Sequence, residues 1–328
     1  MKALVFEDIG QLVYREFSDP EGDFIVRVEG CGICGTDLKT YQKGHHFFPP
    51  PTILGHEFYA SIVKVPTASK YTVGDRVVVA PYFECGECEH CKRGLLAQCT
   101  QKHFVSGAFC EYVAIPDNYD KGIYKIPRSE TGAPKQDVAV YSLVEPLACV
   151  LHGVERLHVR PSNKVLVVGG GPMGILFALY FQQQAVPVVV IEPNAERRTQ
   201  ITAWGIECKK PGECDASQFD NIIVAVNKAE LLAEYVRTIA SGGTVLAFSG
   251  VKKSEAFIID SHAIHYREVT LTGCSGFGLP DFIKALELIS KHVSHYSKLI
   301  THVLPLSEGE RAFSLLEQGK AFKIVLTP

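Results

Sequence analysis

Four cysteines, Cys85, Cys88, Cys91 and Cys99, fall within one short Gly- and Glu-containing stretch of the 328-residue chain. Thiolates spaced so closely suit a tetrahedral Zn²⁺, and an all-cysteine set leaves no coordination place for water or substrate, so the site they imply is closed and structural. Free or paired thiols are the alternative, although the eleven cysteines of the chain are an odd number and cannot all pair within it. The compact spacing and the acidic neighbours Glu84, Glu87 and Glu89 argue against a zinc ribbon that binds nucleic acid.

A second set is dispersed. Cys34 stands in Cys31-Gly32-Ile33-Cys34-Gly35-Thr36-Asp37, His56 and Glu57 follow Gly55, and Glu145 opens Glu145-Pro146-Leu147-Ala148. Together they offer one thiolate, one imidazole and one or two carboxylates, the mixed donor set of a catalytic zinc with one exchangeable position. Such an ion acidifies a hydroxyl, the step an alcohol needs before its carbon gives up a hydride. A third motif, Gly169-Gly170-Gly171-Pro172-Met173-Gly174, fits G-x-G-x-x-G between an apolar strand and an apolar helix. Its glycines permit a tight turn, a close approach of backbone to pyrophosphate and tight packing of helix on strand. Glu192 closes the next strand, where a carboxylate would accept from the ribose hydroxyls and repel a 2′-phosphate, favouring NAD over NADP. Arg197 and Arg198 lie a few residues on and could offset that repulsion.

These groups need elements to hold them. Up to about residue 145 the apolar runs are short, often alternating and broken by Gly, Pro and Asp, which reads as an irregular, mostly antiparallel β domain. From residue 165 strands and helices alternate: 165–168, a helix over 175–184, 188–191, a helix over 195–204, 222–226, a helix over 229–240, and 245–248. That order means a parallel sheet covered by helices. A helix over 280–290 and strands at 300–304 and 323–326 follow, and pattern alone does not assign them to a domain. The N-terminal MKALVFEDIG reads as a first strand rather than a signal peptide or membrane anchor, and the chain has no long apolar run. Lys+Arg of 33 against Asp+Glu of 36, with no run of one sign, gives no support for a nucleic-acid or anionic-membrane partner.

The order and spacing of these motifs resemble those of the zinc-dependent medium-chain dehydrogenases. The resemblance implies an α/β chain made of a GroES-like β-rich catalytic domain (1–148, with the zinc lobe at 85–99), a Rossmann doubly wound NAD-binding domain (149–276) and a C-terminal segment (277–328) that completes the first. It implies one catalytic zinc on Cys34, His56 and Glu145 and one structural zinc. Glu57 would lie behind the metal or exchange with water as a ligand, and Thr36 would pass the hydroxyl proton outward. Many members carry a histidine where this chain has Lys39, so the end of the proton relay departs from the family. Gly169, Gly171, Pro172, Met173, Gly174, Glu192 and Arg197 are the positions expected to bind the cofactor. Glu145 is similar to the glutamate of polyol, sugar-phosphate and threonine dehydrogenases. The run from Lys43 to Pro49, with His45 and His46, is similar to hexitol-phosphate and cyclitol or amino-cyclitol enzymes.

The expectation is therefore a cytoplasmic, NAD-dependent zinc oxidoreductase of a secondary alcohol in a polyol, cyclitol, amino-cyclitol or sugar, possibly phosphorylated, working as a homodimer or homotetramer. A threonine-type hydroxy-amino-acid dehydrogenase and a non-catalytic NAD-binding zinc protein of the same fold are the alternatives.

Overall fold

The computed structural model describes residues 1–105, 107–127, 138–251 and 254–328. Two units result, one of Met1–Ala148 with Gly278–Pro328 and one of Cys149–Phe277. Among the described residues no helix is long and apolar enough to cross a membrane.

The first unit is built on a seven-stranded sheet ordered Ile123–Lys125, Arg76–Val79, Glu57–Lys64, Ile25–Gly32, Lys323–Thr327, Ile300–Pro305, with Tyr112–Ala114 also paired to Ile25–Gly32. In Ile25–Gly32 the apolar Val26 and Val28 alternate with exposed Arg27 and half-buried Glu29, so one face joins Phe58, Ala60, Val77, Val79, Ile324 and Leu326 in the core. Beyond Glu29 the alternation stops and Gly30, Cys31 and Gly32 are all buried. At that end Gly32 is in register with Glu57 on one side and with Val325 on the other, both antiparallel. The chain then turns through Ile33 and Cys34 into the helix Gly35–Lys43. Three segments distant in sequence are thereby fixed at one end of the sheet. The C-terminal tail belongs to this unit because its last strand pairs with Ile25–Gly32, a partnership with no local sign in the sequence.

The second unit is a six-stranded, all-parallel sheet ordered Glu207–Lys209, Val188–Ile191, Val165–Val168, Asn221–Val224, Thr244–Ala247, Thr270–Gly273. In chain order that is third, second, first, fourth, fifth, sixth, the doubly wound arrangement whose ligand site lies at the carboxyl end of the first strand. Val165–Val168 is buried at every residue, as a strand covered on both faces must be. The helix after it runs over Pro172–Gln183, starting three residues earlier than its apolar periodicity suggests because Pro172 fills the first helical turn, where a missing N–H loses nothing. The short outer strands, Glu207–Lys209 and Thr270–Gly273, carry no apolar run, which is why sequence pattern passes over them.

Gly174 lies against the turn that precedes its helix, and a Cβ there would overlap the carbonyl oxygen of Gly169. Gly174→Ala is expected to lower the stability of this unit by about 1–3 kcal/mol, read as an earlier denaturant midpoint; an unchanged midpoint would mean that the turn gives way freely.

Candidate metal and cofactor sites

The four sulfur atoms of the lobe converge. Cys85 to Cys99 and Cys88 to Cys91 are 3.5 Å, and Cys85 to Cys91 and Cys88 to Cys99 are 3.9 Å. A tetrahedron with Zn–S bonds of about 2.3 Å has edges of about 3.8 Å, so the spacing fits a four-coordinate zinc. Backbone N–H groups of Glu87 and Cys88 donate to Cys85 Sγ at 3.4 Å, and that of Gln101 to Cys99 Sγ at 3.4 Å. Such donors favour thiolates: the Glu87 and Cys88 N–H groups hold Cys85 below the ordinary thiol value, and the Thr100 and Cys91 N–H groups hold Cys88 down at about 5, whereas burial pushes Cys91 up. All eleven cysteines are free of disulfides.

The second set is organised by Asp37. Cys34 is the N-cap of Gly35–Lys43: the Thr36 N–H donates to its Sγ at 3.4 Å, and Asp37 Oδ2 accepts from the Cys34 N–H at 2.8 Å, closing a capping box. Asp37 Oδ1 accepts from the Gly55 N–H at 3.2 Å and faces His56 Nδ1 at 3.5 Å. A carboxylate 3% exposed thus ties the segment carrying Cys34 to the segment carrying His56. Burial lowers the His56 pKa, but Asp37 and Cys34 outweigh it and the net direction is well upward.

The potential ligand atoms of Cys34, His56 and Glu57 all lie within 4.8 Å of one another. Glu57 is 1% exposed; a Cβ on Gly32 would collide with its Oε2, so the glycine leaves room for the carboxylate across the strand pair. Lys323 Nζ donates to Glu57 Oε2, while Glu57 Oε1 is buried and has no hydrogen-bond partner among the described residues. An orphaned buried carboxylate oxygen is costly unless a cation meets it. Glu145, in the first turn of Val144–Glu155, is also buried and is pushed up to about 7, by burial first and by Glu57 and Asp37, with His56 and Lys323 opposing. It stands in the electrostatic field of the trio and is not one of the three convergent donors. A thiolate, an imidazole and buried carboxylates with an unmet oxygen fit a zinc ion. Thr36 and Lys39 are exposed residues of the same helix, and the adjacent rings of His45 and His46 stack at 4.7 Å.

In the second unit Gly169 leaves the first strand at φ 109, and Pro172, Met173 and Gly174 open the helix with Gly171 as its cap, so free N–H groups end the turn. Glu192 is buried and reaches this turn, its Oε2 accepting from the Gly170 N–H at 3.0 Å and its Oε1 from the Asn194 N–H at 2.8 Å. Arg197 is half-buried in the first turn of the next helix, its N–H donating to Asn194 Oδ1. Arg198 donates to the carbonyl oxygens of Glu192 and Pro193.

Two residues of these sites escape motif reading. Asp37 ends the Cys34 segment, and its spacing three after the N-cap is the capping-box signature. Lys323 is signalled only as a lone charge in an otherwise apolar final strand.

The alcohol dehydrogenase GroES-like domain model matches residues 20–128. The chain is 26% identical over 326 residues to L-galactonate-5-dehydrogenase of Escherichia coli K12, covering 94% of this chain and 92% of the relative. It is 29% identical over 325 residues to D-altritol 5-dehydrogenase of Agrobacterium fabrum, covering 94% of each. Among solved structures, a Sinorhizobium meliloti 1021 protein assigned as a zinc-binding dehydrogenase and bound to NADP superposes with a TM-score of 0.87 at 26% identity, over 100% of this chain and 99% of that one.

Asp37→Ala would strand three donors. It is expected to cost about 3 kcal/mol of stability or more, at about 1–3 kcal/mol for each stranded donor, and to release metal from the Cys34 set to a chromophoric chelator at about 10–100-fold lower chelator concentration, with the four-cysteine lobe unchanged. Equal release from both sets would contradict a local role.

Proposed function

The chain belongs to the zinc-dependent medium-chain dehydrogenase family, and from that premise we propose an oxidoreductase that moves a hydride between NAD and a secondary alcohol of a polyol or sugar derivative. The observation that carries this reading is the convergence of Cys34, His56 and Glu57, with an unmet carboxylate oxygen, in a buried acidic cluster. In the proposal Cys34, His56 and Glu57 hold the catalytic metal, Glu145 lies beside it as the exchangeable carboxylate, and Cys85, Cys88, Cys91 and Cys99 hold a second, structural zinc. The zinc supplies a Lewis acid that acidifies a bound hydroxyl and polarises a carbonyl in reverse. Bound NAD⁺ would supply the hydride acceptor, the overall change being alcohol and NAD⁺ to ketone, NADH and a proton.

The protein's own groups arrange the rest. Asp37 faces His56 Nδ1 and leaves Nε2 as the donor to the metal. Thr36 Oγ1 takes the substrate proton and passes it outward, and Lys39 offers an exposed ammonium to an acidic or phosphorylated substrate. Gly169 to Gly174 and the helix start cradle the pyrophosphate, and Arg197 flanks the adenosine end. Glu192 accepts from the ribose hydroxyls and disfavours a 2′-phosphate, so NAD is the preferred cofactor. The sugar-acid and alditol dehydrogenases among the relatives support polyhydroxylated substrates over hydroxy-amino acids. A cytoplasmic homodimer or homotetramer completes the proposal on family likeness.

Elemental analysis should find about two zinc ions per chain, and about one in Cys34→Ala. Wild type should reduce NAD⁺ with at least one member of a panel of alditols, hexonates, cyclitols, sugar phosphates and threonine, and Cys34→Ala with none. One zinc in both proteins, with no turnover, would reduce the chain to a structural-zinc protein. For the cofactor, Glu192→Ala should narrow the NAD⁺ over NADP⁺ ratio of kcat/KM by about tenfold, on the order of one lost charge-assisted contact; an unchanged ratio would remove Glu192 from the discrimination.

A further inference from the structure

Lys323 is 2% exposed at the start of the last strand, followed only by Ile324, Val325 and Leu326 before the strand's final Thr327. Pairing carries it to the metal set: the Ile33 N–H donates to Ile324 O at 3.0 Å and Val325 is in register with Gly32, so Lys323 falls level with Ile33 and Cys34. Its Nζ donates to Ile33 O at 3.1 Å and to Glu57 Oε2. One ammonium therefore bridges the residue before Cys34 and the residue after His56.

We propose that Lys323 is a positioning residue of the metal site: it holds Oε2 of Glu57, so that Oε1 is turned toward the metal with Cys34 and His56, and its charge offsets the acidic groups gathered there. The inference rests on reading Cys34, His56 and Glu57 as the catalytic metal's ligands.

Two observations support it. A carboxylate with both oxygens unbound could rotate or take the metal through both of them; here one oxygen is bound by lysine and the other is buried without a partner among the described residues. The charge count points the same way. A thiolate and one carboxylate, Cys34 and Glu57, already match the +2 of zinc, yet Asp37 and Glu145 are also buried beside the trio. Excess anion weakens the metal as an electrophile, and Lys323 supplies a buried cation in direct contact with Glu57. Stability alone does not demand this ion pair, because well-packed apolar residues replace many buried pairs without loss.

The test uses full-length protein with cobalt in place of zinc, in wild type, Lys323→Met and Lys323→Arg. The four-cysteine lobe serves as the internal control for folding, through its thiolate-to-cobalt absorption. In Lys323→Met the lobe absorption is expected to persist and Tm to fall, because one partner of a buried pair is removed, while the visible d–d bands of the Cys34-site cobalt shift. That cobalt should also go to a chelator at about 10–100-fold lower concentration, and kcat should fall by a similar factor with KM moving less than about threefold. Lys323→Arg should restore the wild-type bands and most of kcat. Lys323→Gln, which keeps a donor for Ile33 O, is measured in the same way should Lys323→Met not fold.

Wild-type bands, chelator response and kcat in a folded Lys323→Met or Lys323→Gln would overturn the proposal. So would equal metal loss from both sets that Arg does not rescue, since that marks a purely structural lysine. If wild type itself binds metal only in the lobe and turns over no substrate, the dehydrogenase reading fails first, an outcome separate from either of these.

Discussion

A carboxylate shut away from water has to find its donors inside the protein, and the geometry of the Cys34, His56 and Glu57 cluster follows from how Asp37 does so. Its two oxygens take the N–H of Cys34 and the N–H of Gly55 and face His56 Nδ1. The first contact caps a helix and the second pins a turn, and the third aims an imidazole. Each would be modest alone, but leaving any one unmade would strand a buried polar group at a cost of about 1–3 kcal/mol. The helix start and the turn before Glu57–Lys64 therefore cannot drift apart without losing both the Gly55 and the His56 contact.

The same economy of buried charge extends to Glu57. It needs the space left by Gly32 on the adjacent strand and the ammonium of Lys323 on the strand beyond that, in register though far apart in the chain. The sheet of the first unit works as a clamp, with its central strand joining the Cys34 segment to both the His56 segment and the C-terminal strand. Much of this set consists of rigid strand ends and one helix cap, a placement that suits metal ligands better than free loops do.

The second unit solves a different problem with different means. Its glycine turn is made of backbone, and Glu192 braces it through the Gly170 N–H. Two backbone donors fix the position of the Glu192 carboxylate, and the neighbouring Arg198 is occupied by carbonyl oxygens of the same strand end. Preorganisation of this kind lowers the ordering cost of binding.

What could be read along the chain was whatever is encoded in contiguous residues. The glycine turn between Val168 and Ile175, the tight cysteine spacing from Cys85 to Cys99 and the strand–helix alternation beyond Val165 each carry their chemistry within one or two elements, so period and spacing suffice. The short polar edge strands at 207–209 and 270–273 had no period to reveal them. Lys323 lies 266 positions from Glu57, a contact for which no window of sequence holds a signal. Linear order could name a thiolate, an imidazole and several carboxylates as candidates, but it could not say which carboxylates meet them. That choice belongs to strand register, because a side chain's neighbours across a sheet are set by pairing over long loops, and the free energy of that pairing is summed over the whole core.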